Sequence, residues 1–342
     1  MNIGLIGLGK MGLLHAGILN SLENVTLCAI SEHESMLLNH IEKALPHVTV
    51  YQNFEEMLDK EQLDLVHITT PVSSHLPMMS YCIEKGVNFF VEKPLTRNLD
   101  EAKQVCLKLQ NSNIFHNVGY NVRFSATFSK VKSLLNEKVL GDIYDVKCSM
   151  YASNVFSKPK GWRFKKKISG GGVLLEMGCH LIDLLIWYFG KIDFVKGETR
   201  SIYSEVEDSA FAFLEFKNKI KGELDTSWSK EGYRIPEITF LIHGSNGTLK
   251  VNQDYIELKL DKPVGSVISP IQKIYKQTLE HGVPFDVGGH DYTLEDIHLI
   301  NSILNHEKPL VDAFEASKTQ SVIQAIYDST KNDEKLRVDY IV

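Results

Sequence analysis

The stretch GLGKMG, residues 7–12, decides the fold of the first part of this chain. An apolar run at 2–8 leads into it, a helical pattern follows, and a second apolar run spans 25–30. This order of strand, glycine turn, helix and strand is typical of a dinucleotide-binding unit, whereas GxGxxG outside that order is a weak pattern. A glycine turn without a ligand is the alternative interpretation, and the surrounding pattern disfavours it.

Each glycine of this turn has a separate physical role. Gly7 permits the tight turn, Gly9 lets the backbone approach a pyrophosphate, and Gly12 lets the helix lie close to the strand. The N-terminus of the helix then faces the negative charge of the phosphates. We therefore expect cofactor contacts from the residues of this turn, namely Gly7, Gly9, Lys10, Met11 and Gly12.

Glu32 lies just past the second strand. An acidic side chain at this place can accept hydrogen bonds from the adenosine ribose hydroxyls. The next residue is His33 rather than an arginine, so a 2′-phosphate would meet a carboxylate. The sequence therefore predicts NAD rather than NADP as the cofactor, with a solvated loop acid as the alternative for Glu32.

The alternation of strands and helices continues to about residue 120, with helices expected at 54–58 and 75–85 and strands at 65–69 and 87–91. It predicts a parallel sheet with helices on both faces. Such sheets bind ligands at the carboxyl ends of their strands. The residues expected to contact the cofactor there are Thr69, Thr70, Pro71, His75, Glu92 and Lys93. For His75, a surface position at a helix start is the alternative.

The strand at 87–91 ends in Glu92-Lys93-Pro94. A lysine at the carboxyl end of a strand, beside a dinucleotide, can polarise a substrate oxygen. Proline stiffens the turn, and we expect a cis peptide bond before it because X-Pro bonds are where cis forms occur. An exposed turn is the alternative for the tripeptide taken alone.

Beyond residue 120 the pattern changes to long strand-like runs joined by short turns such as FKNKI and GSNGT. The runs lie at 144–152, 194–203, 209–216, 220–227, 238–243 and 248–251. They predict an α+β domain with one large, mostly antiparallel sheet. We therefore expect an α/β domain with a doubly wound parallel sheet at 1–120, and the second domain at 121–342.

A helix predicted at 174–189 is apolar except for Glu176, His180 and Asp183, which share one face. A hydrogen-bonded cluster that serves only the fold is one interpretation. Removal of hydride from a carbinol also requires a proton acceptor, and the ordinary pKa of histidine suits that task near neutrality. A neighbouring carboxylate can orient the ring, and the triple glycine at 170–172 allows close approach to the helix start.

The composition of the 342-residue chain excludes several classes of function. The formal net charge of -6 argues against nucleic acid binding. The five cysteines show no CxxC spacing and no HExxH occurs, so we expect neither a disulfide framework nor a metal site. The first residues contain no basic segment and no long apolar segment, so we expect no signal peptide or membrane partner and a cytoplasmic protein.

The motifs GLGKMG, TTPVSSH, EKP, GYNVRF, GWRF and GGGVLLEMGCHLID occur in this order. Together they resemble the glucose–fructose oxidoreductase / inositol dehydrogenase (Gfo/Idh/MocA) family. The resemblance implies a Rossmann domain and an open-faced sheet domain, often assembled into homodimers or homotetramers through that sheet. It also implies NAD(P)-dependent oxidation or reduction of a sugar, polyol or nucleotide sugar.

The resemblance further implies roles for individual residues. Lys93 would orient the reacting hydroxyl, His180 would be the general acid/base, and Glu176 and Asp183 would hold the substrate and the histidine in place. The residues that would line the pocket are Asn121, Arg123, Trp162 and Arg163. The chain departs from the family pattern at Glu176, where aspartate is usual, so the substrate stays open.

We therefore predict an NAD-dependent sugar or nucleotide-sugar dehydrogenase that works with small molecules. A polyol dehydrogenase and a ketosugar reductase are alternatives within the same chemistry. A catalytically silent dinucleotide sensor is a different class, and the presence of both Lys93 and His180 argues against it. A hydrolase or lyase that uses NAD transiently would differ in giving no net NADH.

Overall fold

The computed structural model describes residues 1–280 and 282–341. These residues form two compact units. The first comprises residues 1–121 and 282–317, and the second comprises the described residues of 122–281 and 318–342. The chain thus leaves the first unit one residue after the predicted boundary. The segment 282–317, which the sequence interpretation assigned to the second domain, packs within the first unit.

Within its described residues, the first unit contains a six-stranded parallel sheet in the order β3-β2-β1-β4-β5-β6. Its strands are β1 Asn2–Ile6, β2 Thr26–Ser31, β3 Thr49–Tyr51, β4 Leu65–Ile68, β5 Asn88–Glu92 and β6 His116–Gly119. Its helices up to this point are α1 Lys10–Leu19, α2 Ser35–Ala44, α3 Phe54–Lys60, α4 His75–Lys85 and α5 Leu99–Leu109. This strand order is that of a Rossmann fold, and it reverses between β1 and β4, where ligands bind.

The described part of the second unit contains a nine-stranded sheet in the order β14-β13-β12-β11-β7-β10-β9-β8-β15. Its strands are β7 Ile143–Tyr151, β8 Ile192–Arg200, β9 Ser209–Phe216, β10 Lys221–Ser227, β11 Glu237–Gly244, β12 Gly247–Val251, β13 Tyr255–Leu260, β14 Ile271–Tyr275 and β15 Leu336–Arg337. Only β7 and β10 pair in parallel among these strands. In β11 every second residue is buried, as in a sheet with one covered face.

The helices of the second unit include α6 Ala126–Asn136, α7 Lys166–Ser169, α8 Cys179–Phe189 and α9 Lys276–Leu279. A π-helical segment, Leu174–Gly178, directly precedes α8. The sequence pattern predicts one continuous α-helix over 174–189, and the structure differs by this local widening to i→i+5 hydrogen bonds. Such widened turns occur frequently at functional sites.

The chain then forms α10 His290–Leu304 and α11 Ala313–Asn332. α10 packs against α1, and Leu299 and Ile300 join Ile3 and Leu5 in the hydrophobic core of the first unit. Burying this apolar surface holds the returning segment in place. This packing explains why the segment belongs to the first unit and not to the second.

One described stretch, Lys166–Phe189, has the length and apolar composition of a membrane span, but 89% of its 18-residue apolar window is buried inside the protein. A core helix can have the same length and apolar composition, and burial of this kind is typical of one. All five cysteines lie among the described residues and are free thiols.

Candidate active site

The glycine turn of the first unit has the geometry that phosphate binding requires. Gly7 has a φ of +93°, which favours glycine, and a Cβ on Gly12 would lie 1.9 Å from the Gly7 carbonyl oxygen. A Cβ on Gly9 would meet nothing within 4 Å, and Gly9 is exposed. The exposed backbone at Gly9 therefore adjoins open space at the start of α1, whose first residues are Lys10 and Met11. These features fit the pyrophosphate of NAD.

Glu32 lies beside this turn, at the carboxyl end of β2. Its Oε2 accepts a hydrogen bond from the Leu8 N–H at 2.6 Å, and its Oε1 accepts one from the His33 N–H at 2.7 Å. The carboxylate is thus fixed next to the glycine turn rather than free in a solvated loop. This position suits contacts with the adenosine ribose hydroxyls.

The loop after β4 is tied to the glycine turn and to the loop after β5. Thr69 Oγ1 donates to the Gly7 carbonyl at 2.8 Å. His75 Nε2 lies 3.1 Å from the Thr70 carbonyl oxygen, and His75 Nδ1 lies 3.0 Å from that of Pro94. His75 is buried, so a surface position is wrong, and its contact with the cofactor stays a prediction. Burial lowers the pKa of His75.

Lys93 follows β5 at the carboxyl edge of the parallel sheet and is half-buried. The peptide bond between Lys93 and Pro94 is cis, as predicted. The Lys93 N–H donates to Glu92 Oε2 at 3.1 Å, so the Glu92 side chain folds back on the turn that follows it.

Next to this turn lies a buried cluster in which only Glu92 is a predicted cofactor residue, whereas His15, His67 and Asp296 are absent from the predicted site. His15 Nδ1 lies 2.8 Å from Asp296 Oδ2, and His15 Nε2 lies 3.2 Å from Glu92 Oε1. His67 Nε2 lies 3.1 Å from the second oxygen of Asp296. The polar atoms of His15, His67 and Asp296 lie within 4.8 Å of one another, as metal ligands would, but their separations are those of hydrogen bonds.

The charges of this cluster follow from its burial and its partners. Burial alone would lower the pKa of His15, but the charge and hydrogen bond of Asp296, reinforced by Glu92, raise it well above its ordinary value. Burial would raise the pKa of Asp296, but His15 and His67 lower it to about 2. Burial, helped by the charge of Glu92, raises the pKa of the neighbouring Glu295 well above its ordinary value. A histidine one turn after Gly12 in an apolar helix is the one sequence signal that points here.

In the second unit, Glu176 lies in the π-helical segment. Its Oε1 pairs with Arg163 Nε at 3.4 Å, and the Arg163 guanidinium lies 5.6 Å from the centre of the Trp162 ring. The structure therefore brings the GWRF motif to the polar face of the helix. His180 is 7% exposed and lies in the first turn of α8.

Asp183 and Arg123 form a buried bidentate ion pair. Arg123 Nε and a terminal guanidinium nitrogen donate to the two Asp183 oxygens, each at 2.7 Å. The guanidinium also lies 5.4 Å from the centre of the Trp187 ring. Asp183 thus fixes the short 3₁₀ segment Asn121–Phe124 that contains Arg123 against α8. The direct substrate contacts predicted for Asn121, Arg123 and Asp183 stay predictions.

A second anchor that the sequence does not predict holds the start of the π-helical segment. Glu207 accepts hydrogen bonds from the N–H groups of Gly172 and Leu174 and from the Tyr327 hydroxyl, at 2.7–3.1 Å. A Cβ on Gly172 would lie 2.2 Å from the Glu207 carbonyl oxygen. The triple glycine thus allows close approach by the protein's own backbone. Burial raises the pKa of Glu207, while these hydrogen bonds oppose the rise.

The predicted residues thus gather in two groups. One group lies at the carboxyl edge of the parallel sheet and contains the cofactor residues and Lys93. The other group lies on the helical stretch 174–189 and contains Glu176, His180 and Asp183, with Arg163 and Arg123 contacting it from other segments. Lys93 and His180 belong to different units, so their action on one substrate is part of the proposed function.

Curated relatives show moderate similarity over much of this chain. An oxidoreductase of Formosa agariphila, "Oxidoreductase P35", is 28% identical over 57% of this chain and 63% of its own length. Levoglucosan dehydrogenase of Pseudarthrobacter phenanthrenivorans is 24% identical over 74% of each chain. The NAD(+) scyllo-inositol 2-dehydrogenase of Bacillus subtilis is 24% identical over 98% of this chain and 95% of its own.

Solved structures match the fold. A levoglucosan dehydrogenase in complex with NADH and L-sorbose superposes with a TM-score of 0.88 at 21% identity, covering 100% of this chain and 99% of the other. The profile "Oxidoreductase family, NAD-binding Rossmann fold" matches residues 1–120, and the profile "GFO/IDH/MocA C-terminal domain" matches residues 128–250. The chain therefore belongs to the Gfo/Idh/MocA family of NAD-binding oxidoreductases.

Proposed function

We propose that this protein is an NAD-dependent dehydrogenase that interconverts a hydroxyl and a carbonyl group of a sugar or nucleotide sugar. The observation that supports it best is the polar face of an otherwise buried helix, where Arg163 pairs with Glu176, Arg123 pairs with Asp183, and His180 lies buried between these two acids along the chain. A helix with only a structural task needs no such set of ionisable groups, because burying them is costly.

NAD, when bound at the glycine turn, supplies the nicotinamide that accepts or returns hydride. His180 takes the proton of the reacting hydroxyl, and we assign this task to Nε2 because Nδ1 is completely buried. Lys93 polarises the same oxygen from the end of β5 and stabilises the negative charge that develops on it. This joint action requires that Lys93 and His180 face one substrate.

The arginine beside Glu176 suits a substrate rich in hydroxyl groups. The Glu176 carboxylate accepts hydrogen bonds, and the Arg163 guanidinium donates them. The Trp162 ring offers an apolar face for the carbon side of a sugar ring. The names of the relatives, which include levoglucosan, inositol and D-apiose dehydrogenases, support a sugar or polyol.

We further propose a cytoplasmic homodimer or homotetramer that assembles through the second unit's sheet and has no nucleic acid or membrane partner. The net charge of -6 and the burial of the apolar stretch Lys166–Phe189 support the absence of those partners. Sedimentation equilibrium is the direct test of the assembly.

The test of the proposed function is NADH formation by the purified protein with a panel of sugars, polyols and nucleotide sugars. His180→Ala should lower kcat by about two orders of magnitude or more and change the NADH Kd much less. His243→Ala is the matched control, because His243 lies in the same unit on β11 and pairs with Asp145. Near-normal turnover of His180→Ala would contradict the assigned role, and NADH binding without turnover of any substrate would favour a sensor.

Titration of NADH and NADPH by fluorescence tests the cofactor choice. Tighter binding of NADH is expected because Glu32 would repel a 2′-phosphate. Equal affinity for the two dinucleotides would remove the ribose role assigned to Glu32.

A further inference from the structure

The buried histidine of α1 stands between two carboxylates that come from different parts of the first unit. His15 is 0% exposed, and its two ring nitrogens face Asp296 of α10 and Glu92 of β5. Carboxylates only accept hydrogen bonds when ionised, so each contact requires a proton on the ring. His15 is therefore an imidazolium that joins the two side chains.

The second oxygen of Glu92 continues this chain of hydrogen bonds to the turn with Lys93. Glu92 Oε1 lies 3.2 Å from His15 Nε2, and Glu92 Oε2 accepts the Lys93 N–H at 3.1 Å. The whole Glu92 carboxylate is thus used, one oxygen on the helix side and one on the turn side. A change in the position of His15 would be transmitted to the backbone of Lys93 through one side chain.

We infer that His15, held by Asp296, is a positioning residue that sets the Glu92-Lys93 turn relative to the helix that begins at the glycine turn. The inference rests on the proposed role of Lys93. His15 lies on α1, whose N-terminus faces the phosphate site, so one side chain relates the cofactor cradle to the end of β5. A misplacement of about 1 Å of a reacting group can lower a rate by about a hundredfold.

The competing explanation is that His15 only supports the hydrophobic core. Two conservative substitutions of His15 distinguish this explanation from positioning of the turn. The amide of glutamine reaches the place of Nε2, so His15→Gln keeps a donor toward Glu92 and loses the one toward Asp296. The shorter amide of asparagine reaches the place of Nδ1, so His15→Asn keeps the Asp296 contact and loses Glu92. Positioning of the turn predicts the better kcat for His15→Gln, whereas core support predicts kcat values that follow stability.

The control is His116→Ala in the same unit. His116 is buried in β6, accepts a hydrogen bond from the Ala313 N–H, and stacks on Phe89. Both His116 and Phe89 lie three residues before the carboxyl ends of their strands, away from the Lys93 turn. Its loss should lower stability without moving the Lys93 turn. It shows how kcat responds to destabilisation alone.

The experiment measures steady-state kinetics, NADH affinity and amide hydrogen exchange on the three variants. We expect kcat of His15→Asn to fall about tenfold or more, with the NADH Kd and the substrate KM within about threefold of wild type, and kcat of His15→Gln to fall much less. Amide hydrogen exchange at residues 92–95 should be faster in His15→Asn than in His15→Gln, and in His116→Ala it should be the same as in wild type. Equal kcat and equal exchange for the two His15 variants would overturn the inference.

The exchange measurement also separates this inference from the proposed function. If the wild-type protein forms NADH with no substrate of the panel, the proposed function fails, and the exchange at residues 92–95 still decides the inference. Faster exchange confined to that segment in His15→Asn supports positioning of the turn. A uniform increase across the first unit shows core support only and overturns it.

Discussion

Gly9→Ala and Gly12→Ala should separate cofactor binding from folding within one turn of the chain. Gly9 has a φ of -63° and a ψ of -174°, which alanine adopts without strain, and its Cβ would meet nothing within 4 Å. We therefore expect Gly9→Ala to change the free energy of unfolding by less than about 1 kcal/mol. The added methyl group would instead occupy the space through which the pyrophosphate reaches the backbone.

The expected loss of affinity follows from the hydrogen bonds at stake. A hydrogen bond to a charged group contributes about 1.5–3 kcal/mol, and about 1.4 kcal/mol corresponds to a tenfold change in Kd. Loss of one such bond at Gly9 should raise the NADH Kd by about tenfold to a hundredfold. Fluorescence titration with NADH measures it directly.

Gly12→Ala should have the opposite profile. The new Cβ would lie 1.9 Å from the Gly7 carbonyl oxygen, whereas ordinary contacts begin at 3.4 Å, so the helix and the turn must move apart by up to 1.5 Å. Overpacking of this kind costs about 1–3 kcal/mol, and we expect the upper end because both groups are backbone. Thermal unfolding should show a Tm several degrees lower. Unchanged NADH affinity of Gly9→Ala, or an unchanged Tm of Gly12→Ala, would refute the assignment of the two glycines.

Three further outcomes are expected. Glu176→Gln should preserve the fold and lower turnover because the carboxylate charge is lost, and Glu176→Asp should also lower it because the pocket suits the longer side chain; wild-type kinetics of both would make Glu176 a spectator. Arg123→Met should lower the free energy of urea unfolding by about 3–5 kcal/mol, since Asp183 would stay buried without its guanidinium; a loss below 1 kcal/mol would contradict this. The folded pKa of Asp296, about 2, lies below its ordinary value of 3.8, so its contribution of about 2 kcal/mol to stability is present above pH 4 and lost as the pH falls toward 2. In Asp296→Asn the urea midpoint should therefore change less than in wild type between pH 4 and pH 2. Parallel plots of urea midpoint against pH for the two proteins would exclude the Asp296 ion pair as the cause of the loss.

Local patterns predict most of the regular structure where periodicity and end signals agree. α4 and β9 occupy the predicted residues, 75–85 and 209–216, because clear patterns end at turn residues. The sequence interpretation does not include α2, although Leu38 is buried and Ile41 packs against the core, as on an amphipathic helix. The parallel pairing of β7 with β10 depends on sheet order, which alternation within a strand does not specify.

The candidate site divides in the same way. The glycine turn, Glu32 and the polar face of the helix are short-range patterns. The turn and its flanking strands form where they are predicted, whereas the predicted helix begins with the π-helical segment Leu174–Gly178. The contact of His15 with Asp296 joins residues 281 positions apart, and that of Glu207 with Gly172 joins residues 35 apart. Such partners are chosen by tertiary packing, so spacing along the chain does not reveal them.

The return of residues 282–317 to the first unit has a consequence for how this protein can be divided. A fragment ending near residue 120 would lack Leu299 and Ile300, leaving the apolar surface of Ile3 and Leu5 partly open to water. It would also leave His15 and His67 buried beside no carboxylate from α10. The nucleotide-binding unit therefore cannot be transferred to another protein as residues 1–120 alone. A chimera must contain both of its segments, and a circularly permuted chain that joins the two segments directly is the form in which the unit would fold by itself.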